Sequence, residues 1–175
     1  MNVEELRAVQ APLKQRYRDD PASARIPARA EARIAGLDIA VAVPGWHGET
    51  VAGLHKAAGG SGDLACSADM LLEALVACAG VTLRAVATAM GISLRGGRIV
   101  AEGIWDARGT LAIDKAAPVG LTDITLRFEI DTDADAAKLE RLIASTERYC
   151  VIFQTLRTPP RLSAVLAGHA GVAKV

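Results

Sequence analysis

The chain has 175 residues, of which 51% are apolar, and it carries 20 basic and 20 acidic side chains. This length fits one compact domain with a sizeable core, and the balanced charge excludes a strong attraction to nucleic acid or to an anionic membrane. Only 3% of the residues are aromatic, which argues against a base-stacking surface and favours a core of aliphatic side chains.

The first predicted element is an amphipathic helix over residues 3–17, in which Val3, Leu6 and Leu13 recur at roughly helical spacing. The N-terminus has no basic segment followed by an apolar one, so it does not read as a secretory signal, and we expect a cytoplasmic protein. Alternating polar and apolar residues then predict two strands that meet near Gly36. Residues 44–62 are rich in glycine and are predicted to form an irregular loop.

A long apolar helix is predicted over residues 67–90, with Ser67 as its N-cap and Gly91 as its end. Because much of its surface is small or apolar, we expect this helix to be largely enclosed at the centre of the core. Charged residues interrupt the apolar run, which argues against a membrane span. The predicted inner stripe consists of Leu71, Ala74, Leu75, Cys78, Val81, Ala85 and Ala89.

The C-terminal half is predicted to contain two strands and two helices. Residues 99–107 form the first strand, and the strict alternation over residues 124–131 predicts the second. Thr132 resembles a helix start, and the helix that follows has an inner stripe ending at Tyr149. A further short helix follows, and residues 161–168 are predicted to form a final edge strand. Strands and helices in this order indicate an α+β fold.

Two of the three cysteines, Cys78 and Cys150, are candidate reactive thiols. A catalytic thiol needs a cation or a helix N-terminus nearby, so a buried Cys78 acting as a small hydrophobic residue is the simpler interpretation of that position alone. For Cys150, Arg148 and His55 could supply charge, and the N-terminus of the short helix would also lower its pKa. If the fold brings the two sulfurs together, they form a dithiol that can cycle between reduced and disulfide forms.

The remaining candidates are one cysteine and three histidines. Cys66 lies about 18 Å from Cys78 along an intact helix, beyond disulfide reach. The histidines His47, His55 and His169 are dispersed, and His55 is the best candidate for a role because it precedes the glycine-rich segment before the helix. The cysteine and histidine spacings are not those of a zinc site, so we expect neither a metal nor another cofactor.

Two segments resemble signatures of a known family. The stretch Ser67-Ala-Asp-Met-Leu-Leu-Glu-Ala-Leu-Val-Ala-Cys78 resembles the central helix of the OsmC-like family, which is named for osmotically inducible protein C and includes the organic hydroperoxide resistance proteins. Glu147-Arg-Tyr-Cys150-Val-Ile-Phe-Gln-Thr-Leu resembles its second signature. The resemblance covers residues 29–175, and residues 1–20 resemble a helical extension found in one branch of the family. We therefore expect residues 1–175 to form a single OsmC-like domain.

This resemblance implies an intertwined homodimer of α+β subunits in which the buried central helix packs against antiparallel sheets. It also implies a thiol-dependent peroxidase that reduces small organic hydroperoxides in defence against oxidative stress. In that cycle Cys78 would be oxidised to a sulfenic acid, and Cys150 would resolve it to a disulfide. A thiol or dithiol reductant would then restore the reduced pair.

The residues ahead of the helix depart from the peroxidase pattern. The helix entry is Cys66-Ser67 in place of the usual Asn-Pro or Ser-Pro. His55, Lys56 and Cys66 are therefore candidates for a variant pocket that takes a different substrate. The alternatives are a non-catalytic dimer that binds a small apolar ligand and a purely structural stress protein. The arginine that would activate Cys78 is left open among Arg25, Arg29 and Arg33.

Overall fold

The computed structural model describes residues 1–34, 36, 38–46 and 48–166. Two short 3-10 helices, Pro21–Ala24 and Lys56–Ala58, connect the longer elements. Strands and helices occur in separate runs and most strand pairs are antiparallel, which confirms the predicted α+β class. In chain order the elements are α1 (Val3–Asp19), β1 (Ala40–Gly45), β2 (Gly48–Gly53), β3 (Ala65–Cys66), α2 (Ser67–Met90), β4 (Gly96–Ile104), α3 (Ala107–Thr110), β5 (Asp123–Asp131), α4 (Ala136–Tyr149) and α5 (Val151–Arg157).

The strands form two small sheets. In the first sheet β2 lies in the middle, antiparallel to β1 and parallel to β3. In the second sheet β4 and β5 pair antiparallel along their whole length. Ile124, Leu126 and Phe128 alternate along β5 and pack into the core, as the period of two predicts. The second sheet therefore presents an apolar face on which the helices can pack.

Helix α2 packs against β4, α4 and α5 and forms the centre of the core. Its buried residues follow a spacing of four, which places them on one face of the helix. Gly91 ends the helix in the left-handed conformation, with φ of 67°, as predicted. The buried residues of α2 are Leu75, Ala79, Leu83 and Ala87, and they join two clusters, one around Leu142 of α4 and one around Cys150.

The opposite face of α2 is open to solvent in the single chain. Val81 has 73% of its surface exposed, and Ala74 and Ala77 on the same face are also exposed. The prediction that this helix is largely enclosed is therefore wrong for one chain, because the described residues cover only one of its faces. By length and mean hydropathy alone (1.8) α2 could cross a membrane, a property shared by apolar core helices of soluble domains.

The two strands predicted around Gly36 are only partly present. Residues 29–34 form a single bridge, from Arg33 to Ala42, and the continuous strand β1 begins at Ala40. Ile34 is 88% exposed, so the alternation over residues 29–34 has no apolar surface to face. An alternating pattern forms a strand only where one of its faces can be buried.

The segment 44–62, predicted to be an irregular loop, contains strand β2. It pairs with β1 around a tight turn at Trp46, and the 3-10 helix Lys56–Ala58 follows it. Ala52 is the only buried residue of β2, which explains why its sequence shows no clear apolar alternation.

Two helices begin at residues other than those predicted. Cys66, and not Ser67, is the residue before α2, and its side chain makes no capping hydrogen bond. Helix α4 begins after Asp135, whose carboxylate accepts a backbone N–H of the first turn. The hydroxyl of Thr132, the predicted start, instead donates to the carbonyl of Ser93 at 2.7 Å and ties β5 to the end of α2.

The C-terminal part departs from the prediction at two places. Tyr149, predicted to lie on the inner stripe of α4, is exposed, because the helix ends there and the chain turns at Cys150. Residues 161–166 form no strand and contribute one bridge residue, Val165. The rest of the predicted edge strand, and the candidates His47 and His169, lie outside the described residues.

Candidate functional site

The candidate site lies where the start of α5 packs against the middle of α2. Helix α4 ends at Tyr149, and Cys150 caps α5 by accepting the backbone N–H of Phe153 on its sulfur, at 3.5 Å. The buried Thr146, in the last turn of α4, donates its hydroxyl to the carbonyl of Leu142 at 2.8 Å. Because this polar group is satisfied inside the core, the turn between the two helices can be buried against α2.

Cys78 and Cys150 are in contact at this point. Cys150 has 0% of its surface exposed, whereas Cys78 is half-buried. Both are reduced, and their side chains pack together in one core cluster. The structure thus brings together two sulfurs that are remote in the chain. Helix α2 is continuous between Cys66 and Cys78, which keeps the third cysteine away from the pair.

The environment of Cys78 favours its thiolate. Burial raises the pKa of the Cys78 thiol, but hydrogen bonds to its sulfur outweigh burial and leave the pKa below its usual value. In decreasing order these hydrogen bonds come from the backbone N–H of Ile152, the thiol of Cys150, the N–H of Val151 and the hydroxyl of Thr82. The two backbone donors belong to the first turn of α5, where N–H groups have no partner within the helix.

The pKa of Cys150 is shifted in the opposite direction. Burial raises it, and donation of the Cys150 thiol to Cys78, together with the negative charge on Cys78, raises it further. The N–H groups of Phe153 and Ile152 only partly oppose this rise. The N-terminus of α5 does act to lower the pKa of Cys150, as expected, but burial and the neighbouring Cys78 outweigh it, so Cys78 is the thiol whose pKa is lowered. Two adjacent thiols of unequal pKa can form a disulfide once an oxidant has taken two electrons from them.

The cations considered from the sequence are engaged elsewhere. Arg148 lies over the ring of Tyr149 at 5.8 Å, and His55 lies against Trp105. Neither is among the groups that shift the pKa of Cys150. Of the arginines proposed for Cys78, Arg29 is paired with Glu31 at 2.8 Å and Arg33 is paired with Glu49. Among the described residues, backbone N–H groups therefore lower the pKa of Cys78, which is the role expected of an arginine.

A cavity of about 460 Å³ lies near the thiol pair and is lined by residues close to each cysteine, but by neither Cys78 nor Cys150. Leu75, one turn before Cys78 on α2, and Phe153, next to Cys150, both line it. Most of its other walls are aliphatic, with Arg157 as its charged residue. A small apolar molecule could occupy this space.

Two of the three predicted pocket residues line a different cavity. His55 and Cys66 both face a space of about 370 Å³ at the N-terminal end of α2. The exposed Lys56 instead extends toward Gly62. Its lining residues at the start of α2 run from Cys66 to Leu71, which lie about 10–18 Å along the helix from Cys78. The predicted pocket of His55, Lys56 and Cys66 is thus divided: His55 and Cys66 line this cavity, and Lys56 lies outside its lining.

Sequence reasoning missed the groups that activate Cys78. Thr82 stands four residues after Cys78 on α2, so the two side chains share a helix face, and that spacing was a usable signal. The backbone N–H groups of Val151 and Ile152 leave no signal in residue types, because every residue except proline carries an N–H.

Comparison with known proteins agrees with this fold. Residues 60–164 match the profile of the family described as "OsmC-like protein". A search of curated proteins finds no match. Since the profile covers more than half of the chain, the chain belongs to the OsmC-like family.

Solved structures share the same architecture. An OsmC-like protein from Mycoplasma pneumoniae is 16% identical, with a TM-score of 0.61 over 77% of this chain and 91% of that one. An organic hydroperoxide resistance protein from Legionella pneumophila is 17% identical, with a TM-score of 0.56 over 77% and 93%. One from Elizabethkingia anophelis, with thiocyanate bound, is 16% identical, with a TM-score of 0.56 over 77% and 92%. At these identities the likeness establishes the fold.

Proposed function

We propose that this protein is a thiol-dependent peroxidase that reduces small organic hydroperoxides. The Cys78 thiolate attacks the terminal oxygen of the hydroperoxide, the O–O bond breaks, and the alkoxide leaves and takes up a proton to become the alcohol. Cys78 is then a sulfenic acid, and the Cys150 sulfur displaces its oxygen as water to form a disulfide. A small thiol or dithiol reduces that disulfide by exchange.

The observation that carries this proposal is the packing of Cys78 against Cys150 at the first turn of α5. The half-buried Cys78 is the thiol whose pKa is lowered, and the fully buried Cys150 is the thiol whose pKa is raised. Peroxidase chemistry needs this difference in pKa, because the attacking sulfur reacts as its thiolate and the resolving sulfur must lie next to it. Similar structures of hydroperoxide resistance proteins support the assignment.

The cavity beside the thiols supports an apolar substrate. Its aliphatic walls, formed in part by Leu75 and Leu156, would hold the organic group of a hydroperoxide. Hydrogen peroxide has no such group and gains nothing from these walls. We therefore expect organic hydroperoxides such as cumene hydroperoxide to be reduced faster than hydrogen peroxide.

Turnover of cumene hydroperoxide with dithiothreitol or dihydrolipoamide tests the proposal. Cys78→Ser should abolish turnover, because the nucleophile is gone. Cys150→Ser should complete one oxidation and then retain a sulfenic acid on Cys78 that dimedone traps. Ala85→Ser, which adds the same hydroxyl two turns further along α2, should keep full turnover. Absence of turnover in the unmodified protein, or its survival in Cys78→Ser, would refute the peroxidase assignment.

We also propose that the functional unit is a homodimer. The exposed face of α2, with Val81 at its centre, lines an apolar groove of about 480 Å³ with Ile99 and Leu94. A second copy of α2 is a matching occupant, because two-fold pairing buries the same apolar face on both chains. We further propose that residues 1–175 form one domain with α1 as an extension, since α1 packs onto α2. A reducing, cytoplasmic compartment suits its three free thiols.

A binding protein without turnover is the alternative function. The two cavities at either end of the Cys66–Cys78 segment of α2 favour it, since both have largely apolar walls. A ligand retained by the purified protein and visible in its native mass spectrum, together with absence of peroxide turnover, would support this alternative.

A further inference from the structure

The cavity at the N-terminal end of α2 takes no part in the proposed thiol chemistry. It is a pocket of about 370 Å³, partly open to solvent, between β2, the start of α2 and the segment after β4. Its apolar walls include Leu54, Leu71, Val119 and Leu121. This size and this lining are typical of small-molecule sites.

Two rings form one corner of the cavity. The imidazole of His55 and the indole of Trp105 lie perpendicular, with centroids 5.3 Å apart and an interplanar angle of 88°. Such a corner offers one flat face and one edge to a third ring, which is the geometry that aromatic groups prefer. The cavity is therefore suited to a planar ligand.

The polar groups of the cavity include several hydrogen-bond donors, and the hydroxyls of Ser67 and Thr110 can donate as well as accept. Nδ1 of His55 accepts the backbone N–H of Ala57 at 3.0 Å, so the proton of the neutral imidazole resides on Nε2, which is a donor. Ser67 and Ala68, at the first turn of α2, also line the cavity, and Cys66 before them provides no side-chain cap. First-turn N–H groups without a cap are further donors. A ligand held here needs a hydrogen-bond acceptor.

The charge of the cavity selects among acceptors. The described residues that line it include no lysine, arginine, aspartate or glutamate. A carboxylate placed against these apolar walls would lose hydration without gaining a charged partner from Lys or Arg, whereas a carbonyl oxygen loses less and still accepts a hydrogen bond. The acceptor that fits is uncharged.

We propose that this cavity binds a small, uncharged, planar molecule that carries a carbonyl group, with the ring against Trp105 and the carbonyl oxygen at His55 and the first turn of α2. This site is independent of Cys78, and it holds whether or not the thiol pair reduces peroxides.

The protein offers a direct reporter for this site. It has two tryptophans, and Trp46 is fully exposed, so Trp46→Phe leaves Trp105 as the only indole. In this variant, 1-indanone should change the emission of Trp105 saturably. It should slow alkylation of Cys66 by iodoacetamide with the same midpoint, measured by peptide mass spectrometry, and leave alkylation of Cys78 unchanged. Indane, which lacks the carbonyl, should bind about tenfold more weakly, and indane-1-carboxylate should bind more weakly than 1-indanone.

Cavity-filling variants complete the test. Ala68→Leu and Val119→Phe place bulk in the cavity from opposite walls, and both should abolish the response of Trp105 to 1-indanone. Ala89→Leu adds the same side chain at the far end of α2 and should leave it intact, with circular dichroism checking that each variant folds. The proposal is overturned if Trp105 does not respond, if a folded filled variant responds as strongly as the parent, or if indane or the carboxylate binds at least as tightly as 1-indanone.

Discussion

At the scale of single residues, the first turn of α5 decides which thiol of the pair ionises. Its N–H groups point their partial positive charge at Cys78 and lower the pKa of that thiol. The thiol of Cys150 adds a further donor, and it becomes harder to ionise as a result. The packing at the start of α5 therefore shifts the pKa values of the two thiols in opposite directions.

Thr82 provides a way to test this electrostatic arrangement. The Thr82 hydroxyl is the smallest of the contributions that lower the pKa of Cys78, so Thr82→Val should raise that pKa toward its usual value. Because the thiolate is the reactive form, alkylation of Cys78 normally begins at a pH below that of a free thiol, and the variant should shift this onset upward. A hydrogen bond worth about 1 kcal/mol predicts about a fivefold slower reaction below the pKa.

The measurement is the rate of Cys78 alkylation by iodoacetamide as a function of pH, followed by peptide mass spectrometry. Thr82→Ser keeps the hydroxyl and is the matched control, so it should follow the parent protein. An unchanged pH profile in Thr82→Val would show that this hydroxyl does not stabilise the thiolate.

The sequence identified the thiols more readily than their neighbours. Cys78 and Cys150 stood out through their surroundings and through the family resemblance. The donors of Val151 and Ile152 could not be found in the same way, because their effect depends on how α5 packs across α2. The structure places His55 and Cys66 on the wall of one cavity, and Lys56 is not among the residues that line it.

At the scale of elements, the packing of α4 on α2 is the main source of stability near the site. Leu142 of α4 is completely buried against Leu83 and Ala87 of α2. Leu142→Ala should lower the free energy of unfolding by about 2–5 kcal/mol, through lost burial and the cavity left behind. Urea denaturation followed by circular dichroism measures the change.

Leu162 supplies the control for this prediction, because it has the same side chain and is 90% exposed. Leu162→Ala should change the free energy of unfolding by less than about 0.5 kcal/mol. Equal losses in the two variants would contradict the assignment of Leu142 to the core.

Elements with a strong local signal were predicted well, and elements held by their neighbours were not. The strict alternation of β5 and the glycine that ends α2 at Gly91 both produced the expected structure. Strand β2 was missed, because its backbone hydrogen bonds to β1 hold it and only Ala52 is buried. Backbone pairing between strands leaves little trace in residue types.

At the scale of the whole molecule, the open face of α2 is the largest departure from what a complete core requires. A long apolar helix with Val81 exposed to water is costly unless another surface covers it. We therefore expect Val81→Glu, which keeps helix propensity but places a charge on this face, to convert the proposed homodimer into a monomer. Light scattering after size-exclusion chromatography measures the mass directly.

Leu162→Glu, at an exposed position away from α2, is the control and should leave the dimer intact. A parent protein that is already monomeric at micromolar concentration would contradict the proposed homodimer. A dimer that persists in Val81→Glu would show that α2 does not form its interface.

The prediction of a largely enclosed α2 shows what a sequence pattern reports. Apolar side chains record every surface that must leave water, including a surface that a second chain would cover. The pattern carries no information on which chain provides that cover. This explains why the same stripe was predicted to lie inside the subunit and in fact includes the exposed Leu71 and Val81.

Because Cys150 is fully buried, reagents from solvent must react with Cys78 before Cys150. An oxidant that arrives from solvent meets Cys78 first, and the inner sulfur changes only after its neighbour has done so. Bulky maleimides should accordingly label the outer sulfur of the pair and spare the inner one in the folded protein. The fold thus protects Cys150 from direct oxidation by molecules in solvent and leaves Cys78 accessible to them.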